Sequence, residues 1–511
     1  MRPRIRRTAR ALLVVAVVTT LLAGCMSWFL PPRAPTTSTP SDEQVSSELA
    51  PYYRQVLHWT GCGGGMQCTT ATAPLDWSDP AGDTIELALI RQHALSGQPR
   101  GSLLVNPGGP GGSGVDFVRD SIDTATSETL QREFDIVGFD PRGVGRSTPV
   151  VCTADDAQLD DYLFAAVPGP RGTDAWIAER QRIDASFAEG CLTHTGPLLA
   201  HVDTGSAARD LDLLRAVLGD STLTYLGYSY GTYLGARYAE MFPDKAGRLV
   251  LDGAIDPSTS GFEVTLTQAR GFESALTAYL DDCVARDTCP FQGRADAARD
   301  RIATLLHELD AHPLSDGEGR VLTADVMFTA IILPLYNEAT WNYLDDLFAE
   351  VLSGDTATAF FLADVYHDRN PDGSYRTNSS EAFLAINCLD YPQDGDVATM
   401  RAEAAELETV APVFGPWMSY GTLCTQWPIA SVAERAPITA PGSPDILVIG
   451  TTNDPATPYV WAQALAAQLE NGHLVTRQGE GHTAYGESTC VTEVADAFLI
   501  DGRVPAADPM C

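Results

Sequence analysis

The chain has 511 residues, of which 44% are hydrophobic and 20% are charged. This composition excludes a collagen-like, coiled-coil or wholly disordered architecture, and the length allows about three domain-sized units or one large decorated domain. With 67 acidic residues against 33 lysines and arginines, the formal net charge is −34. Because such a surface repels phosphate backbones, we predict that nucleic acid is not a partner.

The first 24 residues have the pattern of an export signal. An arginine-rich start precedes a nearly unbroken apolar run at 11–23, which is too short to span a bilayer comfortably. The run ends at Cys25 in LAGC, which resembles a bacterial lipobox and implies cleavage before Cys25 and a diacylglycerol on its thiol. We predict a lipoprotein signal over 1–24 and a protein anchored by its lipid to the outer face of the cell membrane. An uncleaved anchor and plain secretion are the alternatives.

The segment after Cys25 cannot form a core. Residues 31–44, PPRAPTTSTPSDEQ, are polar and rich in proline, serine and threonine, a composition typical of extended linkers. We therefore interpret 25–49 as a lipidated tether that holds a folded domain away from the membrane.

Ten further cysteines form an even set, which suggests disulfide bonds in an exported protein. Sequence alone leaves their connectivity open, and our hypothesis pairs neighbours: Cys62 with Cys68, Cys152 with Cys191, Cys283 with Cys289, Cys388 with Cys424, and Cys490 with Cys511. Zinc binding is the weaker alternative, because the chain contains neither a C-x-x-C pair nor an H-E-x-x-H motif. We expect no metal and no organic cofactor.

Seven short apolar runs rich in β-branched residues predict strands. They are Ile85–Ile90, Ser102–Val105, Phe134–Phe139, Leu223–Leu226, Arg248–Leu251, Asp445–Ile449 and His473–Thr476. Stretches with helical spacing lie between several of them; Leu234, Tyr238 and Met241, for example, recur on one helix face. This alternation predicts an α/β fold with a mostly parallel central sheet covered by helices on both faces.

The alternation stops after Asp252, and the next clear strand begins about 190 residues later, a gap too long for a simple crossover. Helix-like segments fill it, at Phe262–Cys283, Ala295–Leu309, Ala324–Tyr336, Trp341–Leu352 and Asp355–Tyr366. We predict a large helical cap over 256–430. It would separate a first part of the sheet domain, 50–255, from a second part, 431–511.

A nucleophile motif follows the predicted strand at 223–226. Residues 227–231 read GYSYG and stand between a strand and a helix, the context that the G-x-S-x-G nucleophile elbow of the α/β-hydrolase fold requires. Side chains at 227 and 231 would collide in so tight a turn, so both are glycine, and Ser229 is exposed at its tip. A glycine-rich helix start is the alternative interpretation.

A serine hydroxyl needs an imidazole base and a carboxylate that orients it, and in this fold they follow the serine in the order acid, then histidine. Asp454 comes just after the strand at 445–449, and His482 follows the strand at 473–476 in a glycine-flanked loop. Each alone has an ordinary alternative, an Asx turn and a surface histidine. Their order and placement after Ser229 favour a catalytic triad.

The loop after the strand at 102–105 is the candidate oxyanion hole. Its sequence, NPGGPGGSG (106–114), lets bare backbone amides approach a substrate carbonyl. We predict one donor near Gly109 and the other at the amide of Tyr230, directly after the nucleophile. A phosphate cradle is the alternative, but the loop lacks a G-K-[ST] ending and the chain has a single lysine, Lys245.

Taken together, several motifs resemble the actinobacterial tripeptidyl aminopeptidases, exported serine peptidases of the α/β-hydrolase fold related to proline iminopeptidases. The motifs are NPGGPGGSG (106–114), FDPRGVGRS (139–147), YLGYSYGTYLGARYAEMFP (225–243), DPATPY (454–459) and GEGHT (479–483). APLDWSDP (73–80) and AINCLDYP (385–392) match as well, so the resemblance covers nearly the whole mature chain. Within the family, the chain is most similar to mycobacterial cell-envelope lipoprotein serine proteases.

The resemblance implies Ser229, Asp454 and His482 as the triad, with the cap inserted between strands 6 and 7 of the hydrolase fold and carrying specificity. Iminopeptidases have histidine where Pro107 stands here, so specificity for proline is not implied. An aminopeptidase must pair the terminal ammonium of its substrate. Asp390 is our candidate for that role, with an ordinary loop acid as the alternative, and Thr457 is a second candidate contact.

We therefore expect a serine peptidase that acts on peptides or proteins through an acyl-enzyme and releases short N-terminal peptides, and we expect a monomer. Two alternatives stay open. The same triad would hydrolyse esters or lipids, because fold and triad do not set the leaving group. The other alternative is a non-catalytic envelope-binding lipoprotein.

Overall fold

The computed structural model describes residues 36–511 apart from 394, 432 and 434. The predicted signal and Cys25 lie outside this part of the chain. Nine of the described strands form one sheet. They are β1 (Thr60–Gly63), β2 (Met66–Pro74), β3 (Thr84–Gln92), β4 (Ser102–Asn106), β5 (Asp135–Phe139), β6 (Leu223–Tyr228), β7 (Ala246–Asp252), β10 (Ile446–Asn453) and β11 (Gly472–Glu480), while β8 (Leu314–Ser315) and β9 (Val321–Leu322) pair separately.

The sheet runs in the order β1-β2-β3-β5-β4-β6-β7-β10-β11. Strands from β5 to β11 in this order pair in parallel, whereas β1, β2 and β3 form an antiparallel edge. All seven predicted strands are present. The two strands of this sheet that the sequence did not predict, β1 and β2, are rich in glycine or threonine and lack a continuous apolar run, and the short pair β8 and β9 was not predicted either.

The parallel strands are apolar on both sides because helices cover both faces. Along β4, Leu104 packs into a core with one layer of helices, while Leu103 and Val105 pack into a separate core on the other face. This burial explains why the strands read as unbroken apolar runs.

Sixteen helices are described along the chain. Those before the cap are α1 (Ala50–Tyr53), α2 (Gly114–Ala125), α3 (Glu128–Glu133), α4 (Asp156–Phe164), α5 (Asp174–Thr195), α6 (Thr204–Leu218) and α7 (Tyr230–Met241). The cap contains α8 (Gly261–Cys283), α9 (Ala295–Ala311), α10 (Ala324–Leu335), α11 (Asn342–Ser353), α12 (Ala357–Tyr366), α13 (Ser379–Asp390) and α14 (Val397–Val410). The last two, α15 (Tyr459–Gln468) and α16 (Thr489–Asp501), return to the sheet.

The cap has its own apolar core, built mainly from α8 to α12. It lies between β7 and β10, which are the sixth and seventh strands of the sheet when the edge strand β1 is left out of the count. The predicted fold class, an α/β-hydrolase with a large helical insertion at this point, is therefore confirmed. The five predicted cap helices are present, and α13 and α14 are helices that the sequence analysis did not identify.

Five disulfide bonds join the ten described cysteines, each to its neighbour in sequence. They are the five pairs of the neighbour hypothesis. Three of them close loops with sequence separations of 39, 36 and 21 residues, which constrains long irregular segments. None of the described helices combines the length and the apolar character needed to cross a bilayer.

The first described residues run along the edge of the sheet and then reach the amino ends of its parallel strands. Residues 36–38 pair with residues 57–59, which lead into the edge strand β1. The Ser41 amide donates to Ala216 O near the end of α6 (2.8 Å). Glu43 accepts hydrogen bonds from Arg215 (2.9 Å) and from Lys245, the residue directly before β7 (2.7 Å). Residues 41–43 therefore lie at the edge opposite the carboxyl ends of these strands.

Candidate active site

Ser229 lies at the tip of the turn between β6 and α7. Its backbone has φ 55° and ψ −122°, a conformation that a residue with a side chain rarely adopts and that is typical of strained functional turns. The turn is closed by contact between its two glycines, because a Cβ on Gly227 would lie 2.5 Å from Gly231 O. The serine side chain is thus presented at the carboxyl edge of the sheet.

Asp454 and His482 meet at the same edge. Asp454 directly follows β10, and His482 lies two residues after β11. The Nδ1 atom of His482 is 2.9 Å from both Oδ1 and Oδ2 of Asp454. The carboxylate is itself fixed, because Oδ1 accepts the amides of Ala456 (2.9 Å) and Thr457 (2.8 Å).

The carboxylate of Asp454 determines both the pKa and the tautomer of the His482 imidazole. Burial lowers the pKa of His482, but the charge of Asp454 and its hydrogen bond outweigh burial and raise the pKa above the ordinary 6.5. Asp454 accepts the Nδ1 proton, so in the neutral ring the lone pair is on Nε2. This is the protonation state that a general base requires.

Ser229 and His482 lie beside two consecutive residues at the end of β7, Ser229 beside Asp252 and His482 beside Gly253. The Ser229 amide donates to Asp252 O (2.8 Å). A Cβ on Gly253 would lie 3.1 Å from Cε1 of His482, the atom next to Nε2. The three predicted triad residues, separated by up to 253 positions, are therefore brought together at one edge of the sheet.

The predicted oxyanion loop lies against the nucleophile. A Cβ on Gly108 would be 2.9 Å from Ser229 Cβ and 3.1 Å from Tyr230 N. The Gly108 amide is already used, since it donates to Asn106 Oδ1 (2.9 Å). This leaves Gly109 as the next amide of the loop, beside that of Tyr230 at the first position of α7. Two backbone donors next to a serine nucleophile can stabilise a developing oxyanion.

Asp252 is a buried carboxylate beside the histidine loop that the sequence analysis did not identify. Its side chain is fully buried, and Oδ2 accepts the amides of Ala484 (3.0 Å) and Tyr485 (2.8 Å), which directly follow the histidine loop. Burial raises its pKa to about 6, although these amides favour the charged form. Its position could have identified it from the sequence, since it is the aspartate that directly follows the last predicted strand before the cap.

Tyr336 of the cap also holds the histidine. Its carbonyl accepts the His482 amide (2.7 Å), and its ring meets the imidazole edge-to-face at 5.4 Å between centroids. The cap is therefore in direct contact with the base. No local pattern in the sequence relates these two residues, which are 146 positions apart.

The two predicted substrate contacts, Asp390 and Thr457, are each 2% exposed. The Thr457 hydroxyl donates to Asp454 Oδ2 (2.9 Å) and is 3.2 Å from His482 Nδ1. The Asp390 carboxylate accepts the amide (3.0 Å) and the hydroxyl (2.6 Å) of Thr204, and burial raises its pKa to about 7. Because the Asp390 carboxylate is buried and occupied by Thr204, these contacts argue against its predicted role in binding a substrate ammonium. Thr457 completes the turn after Asp454 and lies beside the histidine, with its hydroxyl occupied by Asp454.

The sequence of the chain is similar to those of known proteins. A family model described as TAP-like protein matches residues 411–511, which include Asp454 and His482. Serine protease Hip1 of Mycobacterium tuberculosis is 36% identical over 487 residues, which cover 90% of this chain and 92% of that relative. The chain belongs to the tripeptidyl aminopeptidase-like family. As a member of it, the protein is a serine hydrolase of the peptidase type.

Two further relatives show the range of names within the tripeptidyl aminopeptidase-like family. The tripeptidyl aminopeptidase of Streptomyces lividans is 31% identical over 475 residues, with 90% of this chain and 87% of the relative covered. Carboxylesterase B of Mycobacterium tuberculosis is 35% identical over 511 residues, with 96% of each covered.

Proposed function

We propose that the protein is an exported serine peptidase that removes short peptides, such as tripeptides, from the N-termini of its substrates. The observation that carries the proposal is the contact of His482 with Asp454 beside the strained Ser229. The names of the peptidase relatives support the choice of peptides as substrates.

In the proposed mechanism, His482 Nε2 takes the hydroxyl proton of Ser229 while Oγ forms a bond to the peptide carbonyl carbon. The amides of Tyr230 and Gly109 donate to the oxyanion. As the C–N bond breaks, the imidazolium gives its proton to the departing amine. Water, deprotonated by His482, then attacks the acyl ester, and the proton returns to Ser229 as the acid product leaves.

The location belongs to the proposal as well. The LAGC segment ending at Cys25 supports a lipid anchor on an exported protein, and the five disulfide bonds fit an oxidising compartment. Labelling with radioactive palmitate, lost in a Cys25→Ala variant, would test the anchor independently of the activity.

Ester hydrolysis is the second candidate function, favoured by the relative named carboxylesterase B. The two functions differ in the leaving group, an amine or an alcohol, and the proposed triad serves both.

The deciding experiment compares tripeptidyl p-nitroanilides with N-blocked analogues and with short acyl esters, and identifies the products from defined peptides by mass spectrometry. We expect release of N-terminal tripeptides that depends on a free amino terminus. Turnover of acyl esters alone would refute the peptidase proposal. Absence of fluorophosphonate labelling, which should require Ser229, would refute catalysis altogether and favour a binding protein.

A further inference from the structure

We propose that helix α13 of the cap is a positioning element of the oxyanion hole and that Asp390 is its positioning residue. The inference rests on the proposed mechanism and adds a role for a part of the cap. It starts from Asp390, a buried carboxylate at the end of α13 that the proposed mechanism does not use.

Thr204 connects this carboxylate to the nucleophile turn. Its hydroxyl oxygen is 2.6 Å from Asp390 Oδ2 and 2.5 Å from the phenol oxygen of Tyr230. A hydroxyl has one proton and two lone pairs, so when it donates to the carboxylate it accepts the phenol proton. The result is a buried chain of hydrogen bonds from Tyr230 through Thr204 to Asp390.

The other end of α13 lies against the oxyanion loop. A Cβ on Gly111 would be 2.5 Å from Ser379 O and 3.1 Å from Phe383 N, which are in the first two turns of the helix. Gly109 is two residues away in the same loop. The helix therefore contacts the loop that carries one proposed donor at its beginning, and at its end it is linked through Thr204 to Tyr230, which carries the other.

Further contacts fix α13 to the core. The side chain of Asn378, the residue before the helix, donates to the carbonyls of Gly143 (2.8 Å) and Val150 (2.9 Å). Near the other end, a disulfide bond joins Cys388 to Cys424, and Ser431 donates to Leu389 O (2.6 Å). A helix held at both ends is a rigid support for what packs on it.

Such support matters because an oxyanion hole acts through donors that are already oriented before the reaction. Releasing the phenol of Tyr230 would allow its amide to move relative to Gly109. The variant would stabilise the transition state less, while its binding of the substrate would be nearly unchanged. The reason is that the carbonyl of the bound substrate depends less on these donors than the oxyanion does.

The test uses Thr204→Val, which removes the hydroxyl and keeps the amide that Asp390 accepts, and Thr204→Ser, which restores the hydroxyl. Tyr230→Phe breaks the same chain at a second point if Thr204→Val fails to fold. Tyr53→Phe is the matched control, because it removes a buried phenol that donates to Asp212 (2.8 Å) away from the active site.

Kinetics with a tripeptidyl p-nitroanilide are combined with inhibition by the corresponding tripeptide aldehyde and alcohol. The aldehyde forms a hemiacetal whose oxyanion occupies the hole, and the alcohol does not. For Thr204→Val and Tyr230→Phe we expect kcat and aldehyde affinity to fall by about tenfold, with KM and alcohol affinity unchanged. Thr204→Ser should recover most of the loss, and the double variant should lose no more than either single one.

Equal loss of aldehyde and alcohol affinity, or a folded Thr204→Val enzyme with kcat within twofold of wild type, would overturn the inference and leave the proposed function intact. A change of the same size in Tyr53→Phe would also overturn it. A wild-type protein that neither reacts with a fluorophosphonate nor binds the aldehyde would refute the proposed function, and the inference with it.

Discussion

The substitution Asp454→Asn tests the proposed triad most directly, because it exchanges one oxygen for an amino group in a fully satisfied carboxylate. Oδ1 accepts two backbone amides, from Ala456 and Thr457, so an amino group at that position would face two fixed donors. The amino group is therefore expected at the Oδ2 position, which faces one longer backbone donor, the Thr483 amide (3.2 Å), and the Thr457 hydroxyl, which can rotate. There it points a hydrogen at His482 Nδ1, which must become an acceptor.

This change reverses the tautomer of the imidazole. With Nδ1 accepting, the neutral ring carries its proton on Nε2 and offers no lone pair to Ser229. A wrong tautomer lowers kcat by about 10⁴-fold in such triads, equivalent to about 5.5 kcal/mol of transition-state stabilisation. Removal of the carboxylate charge also leaves burial to lower the pKa of His482. As the pH is lowered, the remaining activity of the variant should therefore be lost at a lower pH than the activity of the wild type.

The assay measures kcat and kcat/KM for a tripeptidyl p-nitroanilide between pH 5 and 9, with circular dichroism to establish folding. Asp252→Asn is the matched control, because this second buried carboxylate binds backbone amides after the histidine and not the imidazole. We expect it to lose less than tenfold in kcat. A folded Asp454→Asn enzyme within tenfold of wild type, or an equal loss in Asp252→Asn, would refute the assignment of Asp454.

Three further outcomes are expected. Gly111→Ala should lower kcat strongly, because Gly111 has φ +99° and the added Cβ would lie 2.5 Å from a carbonyl oxygen of α13. The control Gly169→Ala, at φ +93° but in open space, should change only stability. Kinetics and thermal unfolding of both variants check this. Because burial raises the pKa of Asp252 from 3.8 to about 6 on folding, the folded state binds the additional proton, and this group's contribution to stability falls by about 3 kcal/mol as pH rises from 4 to above 6. Urea unfolding of wild type and Asp252→Asn at both pH values should show a fall that is about 3 kcal/mol larger in the wild type. Removal of Cys152–Cys191, with a separation of 39 residues, should cost about 4 kcal/mol, against about 2 kcal/mol for Cys62–Cys68 with a separation of 6, in urea unfolding.

The parts of the site that the sequence predicted share a local signal. Ser229, Asp454 and His482 each follow a parallel strand, and parallel strands bring their carboxyl ends to one edge. The glycine loop at 106–114 follows a strand in the same way. Burial on both faces made these strands visible as apolar runs, so the core of the fold could be predicted as well.

The rest of the site depends on contacts that leave no local pattern. Tyr336 reaches His482 from the cap, and Thr204 meets Asp390 across 186 residues. Asp390 was expected to face the substrate because it is a cap carboxylate in a segment that resembles the family and could pair a substrate ammonium. It is buried instead, because its helix ends against the first amide of α6. Packing between the core and the cap determines whether a residue at a helix end faces the site or the interior. No periodic pattern in a single sequence indicates this choice.

The attachment of Ser41 and Glu43 at the amino ends of the parallel strands has a consequence for the orientation of the enzyme on a membrane. With the proposed lipid on Cys25, the eleven residues from 26 to 36 span at most about 37 Å, whereas a folded chain of this size is about 60 Å across. A tether shorter than the domain restricts how far the domain can turn relative to the bilayer. Since Ser41 and Glu43 are bound at the edge of the sheet opposite Ser229, the proposed anchor would favour an orientation in which the catalytic edge faces away from the membrane.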